Sequence, residues 1–377
     1  VDCDDNRGVT TETTSVTTAL QSLLHKAIDR AGGWLPFDRF MALALYAPEL
    51  GYYANDSRKF GQMPASGSDF VTAPEMTPLF GHTLAVAVAD AMDATGVDEL
   101  WEFGAGTGAL ALQLLDALGE RVRRYTIVDL SGSLRARQRE TLAAHAHKVH
   151  WVDALPDALR GVVVGNEVLD AMPVQLLVRT GGVWHECGVV WREGDAPGLA
   201  FEDRVTERRP PIDIEGTHDY LTEIHPQAEA FLATLAERLR AGGAGAVFLI
   251  DYGFPEAEYY HPQRHMGTLM CHQGHRADGD PLSDVGAKDI TAHVNFTSVA
   301  LAAQDAGLHV LGYSSQGRFL LNCGLPALLE EASFAERHMA QKLITEHEMG
   351  ELFKVIALGT QVWEPLGFDA GDRTHTL

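Results

Sequence analysis

Cysteine is scarce: the 377 residues hold four, at positions 3, 187, 271 and 323, and none forms a C-x-x-C pair. Thiols so few and so scattered exclude a disulfide framework and point to a reduced, cytoplasmic compartment. Positive charge is also short, with 29 Lys and Arg against 52 Asp and Glu and a formal net charge of −23. A surface of that sign repels a phosphate backbone, which argues against broad nucleic-acid binding. It selects a cationic partner only weakly, because acidity also serves solubility. Long apolar runs are missing too; nothing approaches the ~18 residues that a membrane helix needs. Residues 1–18 carry Asp2, Asp4, Asp5 and Glu12 among Ser and Thr. They resemble neither a secretory signal nor an acid-poor transit peptide, and a solvated, disordered tail is expected there.

What is present, 46% hydrophobic and 21% charged, is the composition of a soluble globular protein. Apolar residues recur at helical spacing over residues 19–46 (Leu20, Leu23, Leu24, Ile28, then Phe37, Phe40, Met41, Leu45). Prolines at 48, 64, 74 and 78 mark the irregular stretch that follows. From about residue 100 short apolar runs alternate with helical stretches: strands are expected near residues 100–103, 125–128, 149–152, 162–165, 246–250, 309–312 and 353–358. That alternation predicts an α/β fold, a doubly wound, Rossmann-like, seven-stranded core whose parallel sheet is covered on both faces. Two stretches interrupt it and read as inserted lobes, β-like pieces over 174–224 and a loop rich in Tyr, His, Pro and Gly over 252–295. The expected organisation is a tail (1–18), an N-terminal helical cap with a cofactor-covering loop (19–79), and a core with both insertions (80–377).

The first core strand runs into Gly104-Ala105-Gly106-Thr107-Gly108. Glycines at a strand-to-helix junction let backbone pass close to a ligand, and the helix N-terminus offers free N–H groups to an anion. The pattern also satisfies a dinucleotide fingerprint, so by itself it leaves NAD and a bare structural turn open. Glu102 shifts the balance, since a carboxylate there repels a pyrophosphate but suits the ammonium of a methionine moiety. Asp129, at the end of the next strand, can accept both hydroxyls of a ribose. Asp153 follows the third strand, placed either to accept from an adenine amino group or to cap a turn. Ligands of open α/β sheets bind at this carboxyl edge. The cofactor expected is S-adenosylmethionine, with S-adenosylhomocysteine as product.

The fourth strand is wholly apolar and ends in Asn166-Glu167-Val168-Leu169-Asp170-Ala171-Met172-Pro173. Polar groups there emerge at the same edge as the glycine turn. Glu167 and Asp170 share a face if the segment is a helical turn, although acids in a first turn are also ordinary caps. These segments, with Gly51-Tyr52-Tyr53, Ser68–Glu75, Asp251-Tyr252-Gly253, Gly267-Thr268-Leu269-Met270, Asp289–Phe296 and Glu348–Lys354, resemble the MidA family of class I methyltransferases. Its mitochondrial relatives include a complex I assembly factor that methylates arginine. One departure is Asn295, where the family more usually has Asp.

The resemblance implies methylation of arginine on a protein partner such as a respiratory complex subunit. Small-molecule methylation, or cofactor-dependent assembly without turnover, stays open. It further implies that Thr72, Pro74, Ala105, Leu130, Ala154 and Asn166 line the cofactor beside Glu102, Gly104, Gly106, Gly108, Asp129 and Asp153. Paired carboxylates can hold a guanidinium bidentately and leave its third nitrogen more nucleophilic. Glu167 and Asp170 are the candidates for that role, with Glu75 as a further acid, and His293 for accepting the proton. The histidines at 261, 265, 272 and 275 beside Cys271 match no compact zinc spacing, and no metal is expected.

Overall fold

Val162, Val163 and Val164 cannot leave either face of their strand wet, and the sequence around them builds a sheet covered on both sides. The computed structural model describes residues 6–55, 71–129, 131–195, 197–274 and 276–377, with backbone alone over 6–15. These fall into two compact units. One comprises residues 58–170, 228–256 and 293–377; the other comprises 1–57, 171–227 and 257–292.

The first unit holds seven main strands: β1 (Glu99–Phe103), β2 (Arg124–Val128), β3 (Val149–Val152), β4 (Gly161–Asn166), β5 (Gly245–Phe254), β6 (His309–Ser315) and β7 (Phe353–Gly359). Their order across the sheet is β6-β7-β5-β4-β1-β2-β3. The run from β5 to β3 is parallel throughout. β7 breaks the pattern, lying antiparallel between β5 and β6, so the expected all-parallel sheet is corrected at one edge. Alternating apolar runs identify strands but carry no direction, which here follows from the route through three helices between residues 316 and 344. A two-residue strand, Val294–Asn295, adds to the end of β5.

The first crossover helix, Ala109–Leu118, buries Leu110, Ala111, Leu114 and Leu115. It packs with Leu79–Thr95, which buries Leu84, Val88 and Ala91, against Val162, Phe248 and Val355 of the sheet in one continuous core. Each such side chain contributes about 1.5–3 kcal/mol by leaving water. Beyond the strands lies the edge where β1, β2, β4 and β5 deliver their C-terminal residues.

The second unit gathers what the sequence presents as three separate pieces: the N-terminal helices and both insertions. Asn6–Arg30 is one helix. The expected tail is therefore helical from Asn6 onward, and only residues 1–5 of it lie outside the described residues. Strands Leu35–Pro36, Gln175–Thr180, Val183–Arg192, Gly198–Val205 and Tyr220–Ile224 form one sheet, and Met270–Gln273, Arg276–Asp278 and Asp289–Thr291 form another.

Glu223, fully buried here, accepts from the Thr268 and Leu269 amides at 2.8 and 3.0 Å and from the Tyr259 hydroxyl at 2.9 Å. Gly267 has φ +70° and a Cβ there would lie 2.5 Å from Glu223 Oε1, so the Gly-Thr-Leu-Met segment exists to wrap this carboxylate. Tyr53 likewise donates to both oxygens of buried Asp289 at 2.9 Å, which accounts for the Gly51-Tyr52-Tyr53 segment. No described helix is long and apolar enough to cross a membrane.

Candidate active site

The glycine turn is built from left-handed backbone. Gly104, Gly106 and Gly108 have φ of 65°, 51° and 87°, values that carry a steric cost for any residue with a Cβ. At Gly104 that atom would also stand 2.9 Å from Val168 Cγ2. Gly108 then caps the helix Ala109–Leu118, whose first amides face the turn. The short helix Ala73–Met76, after Thr72, belongs to the same unit as this turn and not to the N-terminal helices. It is pinned there by Gln113 Nε2 donating to the Pro74 carbonyl at 2.7 Å and by the Thr107 hydroxyl donating to Glu75. Pro74 is thereby tied to the helix that follows the turn, Thr72 precedes it as the N-cap, and Glu75 is engaged by Thr107.

Glu102 lies beneath the turn, 2% exposed, and accepts the Tyr125 hydroxyl at 2.7 Å. Burial pushes its pKa up to about 8; the Tyr125 hydrogen bond opposes this, and the nearby Asp129 charge adds to it. Asp129, half-buried at the end of β2, has an anchor on each oxygen: the Ser131 amide at 2.8 Å and Gln138 Nε2 at 2.7 Å. Each oxygen keeps accepting capacity for a ligand hydroxyl. Asp153 stands apart: it is exposed and ion-paired with Arg135, which also donates to the Asp129 carbonyl. Ala154 is exposed beside it. Leu130 lies outside the described residues.

At the end of β4 the side chain of Asn166 is buried, its Nδ2 donating to Glu167 Oε1 at 2.9 Å. Its Oδ1 meets no hydrogen-bond partner among the described residues. Glu167 has φ 54°, rare for a residue with a side chain. What holds that turn is Asp251, at the end of β5 and 1% exposed. Its Oδ2 accepts from the amides of Val168, Leu169 and Asp170 at 3.1, 2.9 and 3.2 Å. Burial, then the charges of Asp170 and Glu167, push the Asp251 pKa well above the carboxylate range, while its backbone donors pull the other way. The neighbouring Tyr252 hydroxyl donates to Asp170 Oδ2 at 2.5 Å. The His293 ring meets Tyr252 edge-on at 5.2 Å and lies 5.3 Å from Phe254.

Of the three catalytic candidates from the sequence, Asp170 and His293 both contact Tyr252, and Glu167 lies near enough to Asp251 for its charge to act there. From the sequence, neither Tyr252 nor Asp251 is named as a site residue, although an acid at the end of an apolar run is the same signal that marks Asp129. Asn295 caps the helix Phe296–Asp305, its Oδ1 accepting from the Thr297 and Ser298 amides at 3.1 and 3.3 Å. Asp and Asn serve that role equally, which explains the departure from the family pattern without any ionised function.

The sheet order, the strained glycine turn and the acids at successive strand ends define a Rossmann-like, S-adenosylmethionine-dependent methyltransferase. Residues 83–314 match a family described as putative S-adenosyl-L-methionine-dependent methyltransferase, and the chain belongs to that family. Among solved structures, a likely methyl transferase from Burkholderia thailandensis bound to S-adenosyl-homocysteine is 49% identical. The match covers 97% of this chain and 98% of that one with a TM-score of 0.91. Among curated relatives, the mitochondrial protein arginine methyltransferase NDUFAF7 homolog of Caenorhabditis elegans is 27% identical over 92% of this chain and 89% of its own length. The mitochondrial protein arginine methyltransferase NDUFAF7 of Danio rerio is 27% identical over 90% and 86%.

The residues present fit S-adenosylmethionine. Asn166 Oδ1 is a buried acceptor without a partner among the described residues, the turn is left-handed backbone suited to close approach, and each Asp129 oxygen keeps accepting capacity beyond its one anchor. Bound there, the cofactor supplies an electrophilic methyl group on a sulfonium. Methyl transfer from it requires that the acceptor be aligned with that carbon, that water be kept out and that the acceptor's proton be taken up.

Proposed function

We propose that the chain methylates an arginine side chain of a partner protein. The observation that carries this reading is the acid cluster Glu167–Asp170–Asp251 beside the half-exposed rings of Tyr252, Phe254 and His293. A guanidinium is the cation that matches paired carboxylates in bidentate geometry and also stacks on aromatic faces. Glu167 and Asp170 bind two of its nitrogens and draw the positive charge onto them. The third nitrogen is left as the nucleophile, and His293 would take its proton; the S-adenosylmethionine held at the glycine turn and Asp129 would supply the methyl group and leave as S-adenosylhomocysteine. Asp251 holds the turn that presents both carboxylates. The names of the C. elegans and Danio rerio relatives support the same acceptor. Those relatives are mitochondrial, so the cytoplasmic location expected for this chain is a separate proposal, open to fractionation of its source cells.

Glu167→Gln tests the assignment. The amide keeps size and lies away from Asp129, so S-adenosylhomocysteine affinity should hold. Methyl incorporation into an arginine-bearing partner should fall a hundredfold or more, about 3 kcal/mol of transition-state stabilisation. Incorporation equal to the parent's would exclude Glu167. A parent that binds the cofactor yet labels no arginine, while a small molecule is labelled or a partner assembles without turnover, would overturn the function.

A further inference from the structure

The helix Gly132–Thr141 is polar along its length, and its one buried residue is Gln138, which is fully enclosed. A glutamine amide removed from water costs about 1–3 kcal/mol unless its donors and acceptor are met, and here they are met by three different parts of the cofactor edge. Nε2 donates to the Gly106 carbonyl at 3.0 Å and to Asp129 Oδ2 at 2.7 Å. Oε1 accepts from Trp151 Nε1, on β3, at 2.8 Å. The outer face of that indole carries the Arg139 guanidinium, 5.0 Å from the ring centre.

We propose that Gln138 is a positioning residue of the cofactor site, locking the Asp129 carboxylate and the glycine turn in one arrangement. Both hydrogens of its amide nitrogen are committed, one to each partner, so neither the turn nor the carboxylate can rotate without breaking a buried bond. With Ser131 holding the other oxygen, Asp129 presents its remaining lone pairs in a fixed plane, the condition for a bidentate grip on a vicinal diol. Trp151 in turn fixes which way the amide faces, because an indole N–H can only donate. Gln138 acts through Asp129 and Gly106, and the inference rests on the cofactor alone, whatever the acceptor.

The test is a double-mutant cycle read by calorimetric titration with S-adenosylhomocysteine. Gln138→Met, which keeps the packing volume, should lose about tenfold in affinity, the size of one charge-assisted hydrogen bond. In the Asp129→Ala background the same substitution should cost little further, because the group it positions is gone. Losses that simply multiply would overturn the proposal and leave Gln138 a packing residue. Gln138→Glu supplies an independent readout by setting a second carboxylate against Asp129. Its affinity relative to the parent should be lowest at pH 8 and recover as the pH falls toward 5 and the new group protonates. A ratio that does not change with pH would also overturn it. Urea unfolding of each variant separates loss of the site from loss of the fold.

Discussion

Replacing Glu102 by glutamine would expose how much free energy the glycine turn stores in one buried acid. Desolvation raises this carboxyl from 4.5 to about 8 in the folded protein, while in the unfolded chain it titrates near the lower value. Between those limits the folded state holds a proton that the unfolded state has lost. The contribution to stability is therefore complete below pH 4.5 and disappears as the pH rises through about 8. The slope is about 1.4 kcal/mol per pH unit, and the whole interval amounts to about 5 kcal/mol. Full burial means that solvent screening does not reduce the figure much. Glutamine is neutral at every pH, fills the same space, and still accepts the Tyr125 hydroxyl through its oxygen. Glu102→Gln should therefore match the parent near pH 5 and exceed it by several kcal/mol at pH 9. Urea unfolding of both proteins at fixed ionic strength from pH 5 to 9 measures the difference. Parallel curves would refute the argument and place the Glu102 pKa in the ordinary range. A second arm concerns the ligand. If the ammonium of S-adenosylhomocysteine lies against Glu102, binding at pH 7 should expel a proton from the parent and none from the variant, as read by calorimetry in buffers of different ionisation enthalpy. Proton-neutral binding by the parent would detach Glu102 from the ammonium.

Further substitutions probe the other strand ends. Asp129→Ala should lose about 2–3 kcal/mol of S-adenosylhomocysteine affinity and still fold; unchanged affinity in a folded variant would make it a plain turn residue. Glu167→Gly removes a side chain from left-handed backbone, so the folded protein should hold or gain about 1 kcal/mol in urea unfolding while methyl transfer is lost. A clear destabilisation would mean that the Glu167 side chain supports the turn more than its backbone strains it. Asp251→Ala leaves three amides without their acceptor and should cost about 3 kcal/mol of stability, with methyl transfer falling further than cofactor binding. Equal loss of both in a folded protein would show that the Asp251 turn serves the cofactor and not the acceptor.

Much of the core was legible because its signals are local. Valines at 162–164 must lie in a strand buried on both faces, glycines at 104, 106 and 108 need backbone that other residues resist, and acids at strand ends must emerge at the carboxyl edge. Glu102, Asp129, Glu167 and Asp170 followed from those facts, Asn166 came with the family resemblance, and the strands lie within a few residues of their expected places. The direction of β7 was not legible, because apolar alternation is the same read in either sense. Nor was the union of the N-terminal helices with both insertions, since no local pattern records which distant segments share a sheet.

The sequence by itself determined the chemistry on offer: a glycine turn after the first core strand, an acid at the end of the next, and carboxylates after an apolar strand. Tertiary structure alone decided how those groups are held. Asp251 reaches the Val168–Asp170 amides from a strand 81 to 83 residues away in the chain, and Gln138, one polar residue on a polar helix, becomes the hub between Gly106, Asp129 and Trp151. A hydrogen bond between segments far apart in the chain depends on a geometry that exists only after the sheet has formed. Composition and spacing specify which groups can bond, and only packing brings a particular donor within 3 Å of a particular acceptor.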